Sequence, residues 1–225
     1  MGKRHDRRAM VGLTLLLCAG VALVDGVLRP GYAVKSAVKL LLFGLLPWLW
    51  LRRRGIAVGG LFRMERAALR RTLALAAGVF VLILGAYFAL RGVADFSGIP
   101  DALTGNAGVS RGSFPLVALY IPLVNALLEE FFFRGFAFLL LRQVSSPRFA
   151  AGFSAVVFAL YHVSILQGWF SPALYALAMA GLAAGGLLFE WLDSRGDALL
   201  PSYLVHMAAN LAINTVGLIL FGYLG

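Results

Sequence analysis

Charge is scarce in this chain: 13% of its 225 residues are charged, while 61% are hydrophobic. A soluble domain usually carries about 25% charge, and a soluble core of this size has no room for so much apolar surface. The same composition excludes disorder. Cysteine is nearly absent, and Cys18 alone excludes a disulfide framework or a cysteine-based zinc cluster. Acids are also few, 10 Asp and Glu against 20 Lys and Arg. The net charge of +10 needs no nucleic-acid partner, because membrane proteins gather positive charge in their cytoplasmic loops. There is no Pro- or Ser-rich linker and no internal repeat, so residues 1–225 read as a single integral membrane domain.

Long uncharged runs are what the chain does have. A helix crosses the hydrocarbon core with about 20 apolar residues. Spans are predicted over residues 9–28, 33–51, 72–90, 112–141 and 198–225, with two more inside 149–189, divided by a turn at 167–172. The fold class is therefore all-α, a polytopic membrane helix bundle of seven transmembrane helices. The second span requires Lys35 and Lys39 to snorkel toward one surface. Fourteen basic residues, in 3–8, 52–71, 142–148 and 195, fall on one side if the chain alternates. The positive-inside rule then places the N-terminus in the cytoplasm and the C-terminus outside. The first span reads as a retained anchor, since no small-x-small cleavage site follows it. Residues 52–71 read as an interfacial amphipathic helix or as a loop attracted to anionic lipid. Gly181 and Gly185 form a G-x-x-x-G suited to close helix packing.

Ionisable residues inside a membrane are costly and by default functional. Glu129 and Glu130 are the two acids deep in a span; the other eight sit in loops or near span ends. Asn125, Glu129, Glu130 and Arg134 lie on the fourth span, Phe158 and His162 on the fifth, His206 and Asn210 on the seventh. Counted from the basic end, Glu129 lies thirteen residues from Arg142, His162 fourteen from Arg148 and Asn210 thirteen from Asp197. Each is a depth of roughly 20 Å, so three helices bring polar groups to one level.

The helical wheel separates the two carboxylates. Glu130 and Arg134 are i,i+4 with the acid first, the favourable order for an ion pair. Glu129 points about 100° away, on the face of Asn125, and is left free for proton transfer. An amide-hydrolysing site follows: Glu129 activates water, His162 assists, and His206 with Asn210 holds the oxyanion. Glu130, Arg134 and Phe158 are structural support. Glu129, His162 and His206 are also a possible zinc set, although the H-E-x-x-H spacing is missing, so metal dependence stays open. A non-catalytic scaffold and ion transport are the rival functions. Transport is the weaker of them, because no charged chain is visible from Glu129 to both surfaces.

At these residues the chain resembles the CPBP family of intramembrane proteases, which includes type II CAAX prenyl endopeptidases and bacteriocin-immunity-like proteins. The motifs stand as Glu129-Glu130-x-x-x-Arg134, Phe158-x-x-x-His162 and His206-x-x-x-Asn210, over roughly residues 113–215. The resemblance implies an all-helical membrane fold with a cavity open toward cytoplasm and lipid. It assigns Glu129 and His162 to water activation and His206 and Asn210 to the oxyanion site. Both metal-dependent and metal-free mechanisms are proposed for that family; the metal-free one, without a cofactor, is preferred here. The expected substrate is a membrane-anchored protein or peptide. The alternative is an immunity or scaffolding protein that binds a peptide in the same cavity. The Gly-, Ala- and Arg-rich composition points to a bacterial inner membrane.

Overall fold

The structure, a computed structural model, describes residues 3–166 and 170–224. Its helices, in chain order, are α1 (Arg4–Leu28), α2 (Tyr32–Arg53), α3 (Arg66–Leu90), α4 (Gly98–Ala107), α5 (Phe114–Gln143), α6 (Pro147–Tyr161), α7 (Pro172–Ser194) and α8 (Leu200–Leu220). No strand occurs among the described residues. Six of these helices are long and apolar enough to cross a membrane. The remaining predicted span, α6, has 15 residues and a length of roughly 22 Å. The turn predicted at 167–172 lies partly outside the described residues. Leu16, Leu82 and Leu116 are 69%, 70% and 75% exposed, as expected of side chains that face lipid. The chain is an integral, multi-pass membrane protein.

Contacts sort the loops into two ends. Arg54 pairs with Asp6, Arg7 lies over Phe149, and Arg142 pairs with Asp197. The Leu199 amide donates to the Leu61 carbonyl at 2.8 Å. The N-terminus and the segments after α2, α5 and α7 therefore share one end, where the fourteen predicted basic residues gather. At the other end Arg111 donates to the Gly222 carbonyl at 3.2 Å, and Lys35 donates to the Asn106 carbonyl at 2.5 Å.

The core sits where α2, α5 and α6 meet. Phe43 stacks on Phe132 at 4.1 Å and meets Tyr161 edge-on at 5.3 Å. Phe133 packs edge-on against Phe158 at 5.2 Å. Pro122 removes a backbone donor from α5, and the helix widens to i→i+5 bonding over Ile121–Asn125. It widens again over Glu130–Leu140. Such turns are rare and concentrate at functional sites. The ends of α6 and α8 are set by side chains. Ser146 Oγ accepts from the Phe149 amide at 3.2 Å, with Pro147 at the first helical position. Asp193 of α7 accepts from the amide of Ser202 at 3.0 Å and from its hydroxyl at 2.7 Å, satisfying a free N–H at the start of α8.

Two sequence expectations change. Residues 52–71 form no amphipathic helix: α2 runs to Arg53, Gly55 turns at φ +70°, Gly59–Phe62 makes a single 3-10 turn, and α3 starts at Arg66. Leu61 buries in the core and anchors the segment. A Cβ on Gly181 or Gly185 would meet nothing within 4 Å, whereas one on Gly186 would come within 3.2 Å of Ala155. The close α6–α7 approach thus depends on Gly186.

Candidate active site

The wide-turned stretch of α5 aims its adjacent carboxylates in different directions. Glu129 Oε1 accepts from Asn125 Nδ2 at 2.8 Å and from the Tyr161 hydroxyl at 3.1 Å. Its Oε2 lies 4.0 Å from His162 Nε2 and 3.7 Å from His206 Nε2. These two gaps are too long for direct hydrogen bonds and short enough for one water to touch two of the groups. Glu129 is 2% exposed.

Both histidines are oriented by the nitrogen that points away from Glu129. His162 lies at the C-terminal end of α6, just past Tyr161, and its Nδ1 is 2.8 Å from the Phe158 carbonyl. A carbonyl only accepts, so Nδ1 carries the proton and Nε2 is left facing Glu129. His206 Nδ1 lies 2.7 Å from Glu130 Oε1, and the same tautomer follows. Phe158 meets the His162 ring edge-on at 4.7 Å, and Phe189 stacks on His206 at 5.3 Å.

Glu130 and Arg134 are 3.3 Å apart and fully buried. The sequence reading of Glu130 was incomplete, because this carboxylate also bonds His206. The Arg134 guanidinium lies 4.0 Å over Phe158 and 4.9 Å over Phe189, a cation–π sandwich that supplements its single ion pair. Its three nitrogens, Glu130 Oε2 and both Glu190 oxygens make no hydrogen bond within the described protein. Glu190 and Asp193 of α7 are 2% and 0% exposed. Among the described residues the buried acids therefore number four, not the two read from the sequence.

The α8 face explains Asn210. Ser202, His206, Asn210 and Asn214 follow at i,i+4. Ser202 bonds Asp193, His206 bonds Glu130, and Asn214 Nδ2 donates to the Ala118 carbonyl at 2.8 Å. Among the described residues, the half-buried Asn210 side chain alone on this face makes no hydrogen bond. Its amide stays available beside His206.

Lys39 is the residue that sequence reasoning misplaced. Neither it nor Lys35 snorkels to a surface. Lys39 Nζ donates to Asn125 Oδ1 at 2.8 Å and lies 3.5 Å from Glu129 Oε1. Lys35 Nζ lies 3.6 Å from Asp25. Asp25, Lys35, Lys39, Asn106, Asn125 and Ser164 line a cavity of about 80 Å³. It lies at the end of the bundle away from the arginine-rich loops. A row of ionisable groups now runs from Asp25 and Lys35 through Lys39, Glu129, His206, Glu130 and Arg134 toward Asp193. The sequence argument against transport, that no such row exists, does not hold.

Among the described residues no group of three His, Cys, Asp or Glu side chains is arranged to hold a metal ion. With Nδ1 of each ring held by the Phe158 carbonyl or by Glu130, both Nε2 atoms face Glu129 Oε2, an orientation that histidine ligands of zinc also adopt, so metal dependence stays open.

The segment that carries this geometry has a family match. Residues 111–212 match the family model described as Type II CAAX prenyl endopeptidase Rce1-like. This is the protease family that the three motifs resemble, and the matched segment contains all of them. It covers just under half of the 225 residues and leaves Lys39 outside. No curated protein and no solved structure matches the chain.

Proposed function

We propose that the protein is an intramembrane endopeptidase that hydrolyses a peptide bond in a membrane-anchored protein or peptide. The observation that carries this reading is the convergence of Glu129 Oε2 with Nε2 of His162 and of His206, from three helices. Glu129 takes a proton from water as the water oxygen attacks the scissile carbonyl. The same proton then passes to the leaving amine, giving one new carboxyl and one new amino terminus. His162, whose free Nε2 accepts a hydrogen bond, orients the water. Lys39 supplies a fixed positive charge beside Glu129. His206 Nε2 faces the same space and donates to the oxyanion only when both ring nitrogens carry protons. The unpartnered amide of Asn210 is a second donor on the same face.

The structure favours hydrolysis over transport through one residue. Arg134 stands within the buried row, and its guanidinium, which only donates, is a barrier to a moving proton or cation. The bacterial inner membrane, with the N-terminus in the cytoplasm, is the proposed location on charge bias. The direct test compares wild type with Glu129→Gln and His162→Ala. Both variants should insert and melt like wild type and lose cleavage; a Glu129→Gln variant with full biological activity would favour the scaffolding alternative.

A further inference from the structure

An intramembrane peptidase needs water at a site surrounded by lipid and protein, and one polar cavity ends at Lys39 and Asn125, the neighbours of Glu129. Toward the arginine-rich end the interior between α2 and α5 is apolar, and the polar groups that continue there, Glu130, Arg134 and Asp193, lie toward α7 and α8 and are fully buried. Phe43, Phe132, Phe133, Phe136, Leu51 and Leu141 are all fully buried there, and they leave no polar path through the centre of α2 and α5. Toward the opposite end the lining is polar. Asp25 lies three residues before the end of α1, and Lys35 three residues into α2. Lys39 lies seven residues into α2, a depth of roughly 10 Å, and Asn125 eleven residues into α5, roughly 16 Å. Lys39 and Asn125 both touch Glu129. The cavity of about 80 Å³ is well above the roughly 10–15 Å³ that a single water requires, so it admits water.

We infer that this cavity is the inlet for the hydrolytic water, opening on the side of the membrane opposite the arginine-rich end. Its catalytic meaning rests on the peptidase reading; its sidedness does not. Water and substrate then arrive by different routes, with water entering past Lys35, Lys39 and Ser164 and the membrane-anchored chain entering from the lipid. With the arginines in the cytoplasm, the inlet faces out of the cell.

The test uses the full chain in cells, with Cys18→Ala as background. Single cysteines are introduced at the inlet (Ser36→Cys and Ser164→Cys) and at the arginine end (Ser194→Cys). A charged, membrane-impermeant maleimide is the probe. The inlet variants should label in intact cells, and Ser194→Cys only after permeabilisation. The inference is overturned if the inlet variants label together with Ser194→Cys. It is equally overturned if they stay unlabelled after permeabilisation while the denatured protein labels. Labelled inlet variants should also lose cleavage. Should the labelling follow the expected pattern while Glu129→Gln cleaves normally, the peptidase reading fails and the inlet stands.

Discussion

Glu130 of α5 and His206 of α8 are joined at 2.7 Å, carboxylate oxygen to Nδ1. This bond directs the opposite nitrogen of His206 at Glu129 and makes Glu130 part of the site as well as the counter-ion of Arg134. Replacing Glu130 with Gln keeps an acceptor for Nδ1 and removes the charge. Cleavage should fall by about two orders of magnitude, the effect of losing one oxyanion donor, with the protein still inserted. Unchanged turnover would return Glu130 to a purely structural role.

Arg134 is predicted to act on stability first. Arg134→Ala removes the guanidinium from the buried Glu130 and leaves it only His206, and breaking a buried ion pair in this way costs about 3–5 kcal/mol. The loss should appear as a lower melting temperature in detergent. An Arg134→Ala protein that melts like wild type would remove the ion pair from the account.

Lys39 should matter to cleavage although it lies outside the family-matched segment. Lys39→Met removes the cation 3.5 Å from Glu129 and the donor to Asn125. Turnover should drop, and Lys39→Arg should recover part of it by restoring the charge. Equal activity in Lys39→Met and wild type would show that Glu129 needs no such neighbour.

The limits of the sequence are clearest at Lys39. A lysine near the end of an apolar run reads as snorkelling, and only the packing of α2 on α5 turns it inward. The same limit hid Glu190 and Asp193, which read as span-end acids and are buried by α5 and α8. By contrast, the spans were legible because lipid demands long uncharged runs, and every described helix except the short α4 follows one of them within a few residues. The convergence of Glu129, His162 and His206 was legible because depth is a one-dimensional count along each helix. The partner of His206 was not, because the wheel shows which face Glu130 occupies and not which helix meets it.

Gly186 and Gly181 should separate in the same way. Gly186→Val pushes a side chain into Ala155 and Arg134, and overpacking of this kind costs about 1–3 kcal/mol. Gly181→Val should be neutral in the same melting measurement, since a Cβ there meets nothing. Equal effects at the two positions would overturn the packing assigned to α6 and α7.

Metal dependence has a simple readout. Cleavage in isolated membranes should survive chelation. Loss on chelation, restored by added zinc, would replace the metal-free mechanism.

The central claim is that Glu129 hydrolyses peptide bonds in the membrane. It is tested most directly by comparing membrane-protein fragments, by mass spectrometry, in cells carrying wild type and cells carrying Glu129→Ala at equal abundance. The account predicts a set of new termini present with wild type and absent with the variant, which would also name the substrate. Identical fragment patterns in the two would contradict it.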